Sequence, residues 1–181
     1  LRYTWNIDKN QSLATRVAGG LIYSYGNSDV APYSEQFYVG GANSIRAFTI
    51  RSLGPGSYHP AADNKYAYID QTGDIRLEAN MEYRFRIIQD LHGAVFMDAG
   101  NVWLLRDDTT RPGGKFQWKG LADEIAVGTG AGLRYDLSFL VIRVDCGVAL
   151  HLPYTTSRKG YYNIPKFKDG LGWHLAIGYP F

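Results

Sequence analysis

The sequence has no long run of apolar residues. No stretch of the 181-residue chain approaches the roughly 18 uninterrupted apolar residues that a membrane-spanning helix needs. Its mean hydropathy is also mildly negative, at -0.24. These features exclude a helical membrane protein.

Cysteine and clustered positive charge are scarce as well. The single cysteine, Cys146, cannot form an internal disulfide, and its place between Val144 and Val148 favours inert packing. Lys and Arg form no basic stripe in a chain of formal charge +2, which argues against nucleic acid as a partner. No signal peptide opens the sequence, and Leu1 begins inside a strand-like segment, so we expect a targeting sequence upstream.

Aromatic residues and glycine are abundant. Aromatic residues make up 14 % of the chain, including 14 tyrosines, and there are 21 glycines. This composition is typical of a β-rich protein with tight turns and aromatic girdles. The hydrophobic content of 45 % excludes a disordered polymer.

Strict two-residue alternation marks the strands. Between residues 75 and 86 every odd position is apolar and every even position is polar, as expected where the two faces of a strand meet different surroundings. In the last strand we expect an apolar face of Leu171, Trp173, Leu175, Ile177, Tyr179 and Phe181. The pattern predicts about seven strands, at residues 1–8, 13–25, 75–86, 91–103, 124–136, 139–151 and 171–181.

A soluble β-sandwich would also alternate, but two details favour lipid on the apolar side. Charged residues lie in the middle of strands on the polar face, as in a hydrated lumen: Glu82, Arg84, Asp98, Arg143 and Asp145. Aromatic residues collect near strand ends on the apolar face: Tyr3, Trp5, Tyr23, Tyr25, Trp103, Tyr135, Trp173 and Tyr179. We therefore predict an all-β, antiparallel transmembrane β-barrel.

The connections between these strands alternate between short and long. Short turns contrast with long links at residues 26–74, 104–123 and 152–170, and bacterial barrels have short periplasmic turns and long external loops. The C-terminus should then lie on the periplasmic side. Because seven strands are an odd number, we expect the chain to be the C-terminal part of a larger barrel.

The longest link carries a specific motif. Residues 37–48 read Phe-Tyr-Val-Gly-Gly-Ala-Asn-Ser-Ile-Arg-Ala-Phe, and Arg-Ser-Leu-Gly-Pro-Gly follows at 51–56. This segment resembles the sixth external loop of Omp85-family barrels, in which Val or Ile is followed by Arg, Gly, and Phe or Tyr. Residues 78–85, 93–103 and 128–136 and the final Phe181 also fit the family. The motif residues are Gly40, Gly41, Ile45, Arg46, Ala47 and Phe48, and Ala47 stands where the family usually has Gly.

The resemblance implies the tenth to sixteenth strands of a barrel of about sixteen, with upstream strands and POTRA-type periplasmic domains. It also implies that the loop folds into the lumen, where Arg46 contacts Glu82 and Asp98. The alternation supports this, because both carboxylates fall on the polar face of neighbouring strands, where an inward Arg makes strong charge-assisted hydrogen bonds. Alternatively, the two carboxylates only satisfy strand arginines such as Arg84 or Arg143.

Three inward glycines, Gly128, Gly130 and Gly132, would leave space for the loop. Their spacing is not a nucleotide-binding loop, since they run along one strand without the strand-turn-helix context. The histidines at 59, 92, 151 and 174 lack metal-ligand spacing. We predict no catalytic residues, no metal and no cofactor.

The family resemblance implies a bacterial outer-membrane factor that inserts or assembles β-barrels, or translocates polypeptide, without ATP through a lateral seam. The seam and C-terminal signal would be Trp173, Gly178, Tyr179 and Phe181. Expected partners are outer-membrane lipid, client β-barrel or autotransporter polypeptides, and subunits of an assembly complex. The alternatives are a passive porin-like or two-partner secretion transporter, and a barrel enzyme, for which the sequence shows no catalytic residues.

Overall fold

The chain folds into one antiparallel sheet of seven strands. The computed structural model describes residues 1–26, 31–61, 64 and 66–181. The strands are β1 (Arg2–Asn6), β2 (Gln11–Leu21), β3 (Ile75–Ile88), β4 (Leu91–Trp103), β5 (Ala126–Asp136), β6 (Val141–His151) and β7 (Leu171–Ile177). Short helices lie between them: α1 (Ala67–Asp70), α2 (Leu121–Glu124) and a 3-10 helix (Phe167–Gly170).

The strands are arranged as a meander, β1-β2-β3-β4-β5-β6-β7, in which each strand pairs with its neighbours in sequence. In the described part of the chain β1 and β7 do not pair with each other, so the sheet is an open barrel wall. The prediction of an all-β antiparallel fold is confirmed. No helix among the described residues is long and apolar enough to cross a membrane.

Alternation along the strands gives the sheet two different faces. At the centre, Met81 of β3 is paired with Met97 of β4, and both are nearly half exposed. The neighbouring Glu82 and Asp98 point to the opposite face and are completely buried. We call the face with Met81 and Met97 the outer face, and the face with Glu82 and Asp98 the inner face.

The strand connections alternate in length as expected. Short turns at residues 7–10, 89–90 and 137–140 join β1 to β2, β3 to β4 and β5 to β6. The other ends of the strands carry loop A (residues 22–74), loop B (104–125) and loop C (152–170). Since β7 runs antiparallel to β6, the chain ends on the same side as the short turns.

The apolar core lies between loop A and the sheet. Loop A supplies five of its buried side chains, and the remainder come from β4, β5, β6 and loop C. Its members are Val39, Ile45, Ala47, Phe48, Leu53, Val102, Ala126, Ala149 and Ile164. Burial of these side chains stabilises the contact between the loop and the sheet.

The prediction that the last strand extends to Phe181 with one apolar face is wrong. β7 ends at Ile177, and Gly178 has a φ of 81°, a left-handed conformation that favours glycine. The chain turns there, so that the Tyr179 ring lies 4.4 Å from the Arg84 guanidinium carbon. Phe181 is buried near Arg46 on the inner face.

The prediction that Trp103 belongs to the outer aromatic band is also wrong. Its ring is fully buried beneath loop B, where it packs edge-on against Phe116. Its indole N–H donates a 2.6 Å hydrogen bond to Glu124. Loop B covers the end of β4, and the alternation of residues in the sequence does not predict this tertiary contact.

Candidate functional site: loop A on the inner face

Arg46 lies at the centre of the contact between loop A and the inner face. Its guanidinium is completely buried and donates two hydrogen bonds to Asp98, from Nε at 2.8 Å and from Nη2 at 2.9 Å. The Arg46 backbone N–H donates a third, 3.0 Å bond to the same carboxylate. Nη1 donates to Glu82. Both carboxylates therefore hold the loop arginine, in the two-pronged geometry that suits a guanidinium.

An aromatic ring covers one face of this guanidinium. The guanidinium carbon of Arg46 lies 3.6 Å from the centroid of the Phe96 ring, within the range of a strong cation–π contact. Gly130 makes room for Phe96, because a Cβ at Gly130 would collide with the ring. Phe96 was not predicted to belong to the site, although an aromatic residue on the polar face of β4 breaks the alternation and marks the position.

The charges around Arg46 form a larger, fully buried ionic cluster. Glu82 also accepts hydrogen bonds from Arg84, at 2.7 Å, and from Arg134, at 2.9 Å. Glu82 therefore pairs with strand arginines as well as with the loop arginine. The cluster contains three arginines and three carboxylates with no exposed side-chain surface: Arg46, Arg134, Arg143, Glu82, Asp98 and Asp145. This balance of charge is what makes so many buried ions tolerable.

Asp145 completes the cluster through ion pairs. Its carboxylate lies 2.6 Å from Nη1 of Arg134 and 3.4 Å from Nη1 of Arg143. Neither Asp145 oxygen has a partner in hydrogen-bond geometry, so the contacts are close charge pairs without aligned bonds. Gly132 provides the space, since a Cβ there would collide with Asp145 and Arg134.

The turn that presents Arg46 is held by its own residues and by β3. Gly40 and Gly41 have φ values of 97° and 90°, and a Cβ at Gly40 would collide with the Thr49 carbonyl. The Ser44 hydroxyl accepts a 3.0 Å bond from the Gly40 N–H and donates to Glu78. The Ser44 carbonyl accepts a 2.8 Å bond from Asn80.

Glycines on three strands form a notch that receives Ala47. A Cβ added at Gly128 of β5 would collide with the Ala47 methyl group, and one at Gly147 of β6 would fall 2.7 Å from the Ala47 Cα. A Cβ at Gly172 of β7 would lie 3.2 Å from the Ala47 carbonyl oxygen. Gly147 and Gly172, which pair directly across β6 and β7, were not predicted to receive the loop, although Gly172 was expected on the inward face of the last strand. Ala47 itself does not have a positive φ.

The final residue of the chain reaches the same site. The Phe181 ring is buried, with its centroid 5.5 Å from the Arg16 guanidinium carbon and 5.8 Å from those of Arg46 and Arg84. Arg84 also donates a 3.4 Å hydrogen bond to the Phe181 carbonyl. The segment after β7 thus contacts the charged groups that hold loop A.

Trp173 lies apart from this site. Its side chain points outward from β7 and is 71 % exposed, in line with Leu175 and Ile177. These three residues form an apolar strip on the outer face. No cluster of three or more metal-ligating side chains occurs among residues 1–26, 31–61, 64 and 66–181.

A family model decides the relationship of this chain to known proteins. The model of the Omp85 superfamily domain matches residues 1–181, which is the whole chain. The chain belongs to the Omp85 superfamily. It is thus part of an outer-membrane β-barrel, and the Omp85 chain supplies seven neighbouring strands of that barrel.

Two relatives of this chain are outer membrane protein assembly factors. The outer membrane protein assembly factor BamA of Nitratidesulfovibrio vulgaris is 27 % identical over 165 residues, which are 90 % of this chain and 18 % of BamA. BamA of Neisseria meningitidis serogroup B is 26 % identical over 107 residues, 55 % of this chain and 13 % of BamA. The Omp85 chain therefore spans less than a fifth of the length of these relatives.

Solved structures of two barrels share the fold. BamA from Haemophilus ducreyi lacking POTRA domains 1-3 superposes with a TM-score of 0.63 at 16 % identity, covering 98 % of this chain and 34 % of that one. CdiB from Acinetobacter baumannii superposes with a TM-score of 0.54 at 17 % identity, covering 97 % of this chain and 25 % of that one. At these identities the likeness supports the fold alone.

Proposed function

We propose that this chain is the C-terminal part of an outer-membrane barrel that inserts or assembles other β-barrels, or translocates polypeptide, without ATP. In this proposal the free edge of β7 is one side of a lateral seam, and upstream strands and POTRA-type domains complete the protein. Its partners are outer-membrane lipid, client β-barrel or autotransporter polypeptides, and subunits of an assembly complex.

The observation that carries the proposal is the early end of β7. The strand pairs with β6 over seven residues, 171–177, whereas β6 extends over eleven. At Gly178 the chain leaves the sheet, and residues 179–181 lie on the inner face instead of lengthening the edge. The free edge of β7 presents unpaired backbone groups, and such an edge is a template to which another strand can add.

Loop A has a supporting role in the same proposal. Through Arg46 it braces β3 and β4, and through Ala47 it rests on β5, β6 and β7. We infer that docked loop A keeps the wall in shape while the β7 edge opens and closes. This makes the Arg46 motif and its carboxylate partners, Glu82 and Asp98, the functional site of this part of the barrel.

A disulfide across the seam tests the proposal. In the full-length protein with Cys146→Ser, Leu175→Cys is combined with a cysteine at the facing position of the first barrel strand. We expect this disulfide to abolish client assembly in reconstituted liposomes, and reduction to restore it, because a locked seam cannot accept a client strand.

The matched control locks a pair of strands that is already closed. Val144 and Leu175 face each other across β6 and β7, so a disulfide between cysteines at these positions should leave assembly unchanged. Unchanged assembly with the seam locked would contradict the proposal. Ion conductance through the barrel without any gain in client folding would instead favour a passive porin-like protein.

A further inference from the structure

Arg143 reaches loop A from the side opposite to Glu82 and Asp98. It is an inward residue of β6 with a completely buried side chain. Its Nη1 donates a 3.0 Å hydrogen bond to the Ala42 carbonyl, and its Nη2 donates a 2.6 Å bond to the Asn43 side-chain oxygen. Both acceptors belong to the turn just before Arg46.

The other polar contacts of this turn come from β3 and β4. Asn80 and Glu82 of β3 contact Ser44 and Arg46, and Asp98 of β4 holds Arg46. Arg143 adds a contact from β6, two strands further along the sheet. The turn is therefore held by hydrogen bonds from two sides of the inner face, from β3 and β4 on one side and from β6 on the other.

Neutralisation of the Asp145 carboxylate does not explain why a buried arginine lies at position 143. The closer cation is Arg134, at 2.6 Å from Asp145, whereas Arg143 is 3.4 Å away without hydrogen-bond geometry. Nε of Arg143 has no partner, and the aligned hydrogen bonds of its guanidinium go to loop A. A buried cation that loses its hydrogen bonds is costly, so Arg143 favours the docked position of the loop.

We propose that Arg143 is a positioning residue that anchors residues 42–43 of loop A to β6 and so completes a two-sided clamp on the Arg46 turn. Arg143 lies directly opposite Ala176 of β7, so the clamp reaches the strand that pairs with the proposed seam strand. Any effect of this anchor on client assembly rests on the proposed function, whereas the anchoring of loop A by Arg143 does not.

Hydrogen exchange of the amides of residues 40–48, measured in the full-length protein in lipid nanodiscs, tests the anchor. We expect Arg143→Met to raise their exchange rates by about tenfold or more, the ratio that corresponds to one lost hydrogen bond to a charged group. Arg143→Lys should restore only part of the protection, because an ammonium cannot reproduce the planar two-donor geometry. Arg158→Met, in exposed loop C, is the matched control and should leave these amides unchanged.

The variant Asn43→Ala distinguishes two roles of Arg143, the anchoring of loop A and the neutralisation of Asp145. It removes one acceptor on the loop and leaves every charge of the ionic cluster in place. If Arg143 is an anchor, Asn43→Ala also raises exchange at residues 40–48, and the double variant with Arg143→Met exchanges no faster than Arg143→Met alone. If Arg143→Met does not insert into the membrane, Asn43→Ala by itself decides: faster exchange supports the anchor and unchanged exchange overturns it.

Two other results would overturn the inference. One is unchanged exchange in Arg143→Met. The other is full recovery of protection when Asp145→Asn is added to Arg143→Met, since Arg143 would then serve only to balance that carboxylate. Client assembly is measured in parallel with Arg46→Ala. Unchanged assembly in that variant would count against the proposed role of loop A, while the exchange data would still decide the role of Arg143.

Discussion

The guanidinium of Arg46 stacks on the Phe96 ring, with its central carbon 3.6 Å from the ring centroid, while its edge donates hydrogen bonds to Asp98 and Glu82. One loop side chain thereby fixes loop A to two adjacent strands. A planar, permanently charged group with several donors suits this position, and a lysine ammonium would not fill it.

Substitution of Gly147 should displace loop A without removing any charge. In Gly147→Ala the added methyl group would fall 2.7 Å from the Ala47 Cα, a backbone atom that cannot move aside alone. We expect faster hydrogen exchange at residues 40–48 and a loss of roughly 1–3 kcal/mol in the free energy of unfolding, as for other overpacked sites. Gly19→Ala is the control, because the nearest atom to its new methyl group would be at 3.6 Å, an ordinary contact. Equal effects of the two substitutions would argue against the notch.

Loss of the Phe181 ring should weaken the inward fold of the chain's last residues. Phe181→Leu keeps an apolar side chain but removes the ring that lies near Arg16, Arg46 and Arg84. We expect a destabilisation of about 0.5–2 kcal/mol in chemical denaturation, the range of cation–π contacts. Phe139→Leu, at an exposed turn position, should change stability by less than about 0.5 kcal/mol. If Phe181→Leu changes stability as little as Phe139→Leu does, the Phe181 ring makes no stabilising contact.

A charge placed on the outer face should oppose membrane insertion. Met97 lies in the middle of β4 on the outer face, which we expect to meet lipid, so Met97→Arg should lower folding stability in bilayers by roughly 2–4 kcal/mol. Thr109→Arg, in exposed loop B, should have little effect. Denaturant titrations of both variants in vesicles give the comparison. If Met97→Arg leaves folding stability in vesicles unchanged, the outer face lies against water or protein rather than lipid.

The sequence made the strands and the two faces of the sheet predictable because a strand repeats every two residues. Over residues 75–86 of β3 the alternation is unbroken, and β4 places Asp98 directly opposite Asn80 on the same face. The loop motif likewise drew attention to Arg46 and to the two carboxylates that surround it in the structure.

Features that depend on where the chain bends were not predictable from periodicity. The turn at Gly178 reverses the facing of Tyr179 and Phe181, and loop B buries Trp103. The partners of Arg143 lie about 100 residues away in sequence, so no local pattern joins them. Such contacts follow from tertiary packing, which overrides the simple inward and outward rule.

A double-mutant cycle between Arg46 and Asp98 tests the docking of loop A most directly. Unfolding free energies are measured for Arg46→Met, Asp98→Asn and the double variant of the full-length protein in lipid vesicles. Each single change breaks a buried ion pair and should cost about 3–5 kcal/mol. The double variant should then cost at least about 1 kcal/mol less than the sum of the single variants, because the two residues bind each other. Strictly additive effects would contradict the placement of Arg46 on Asp98, and with it the docking of loop A on the inner face.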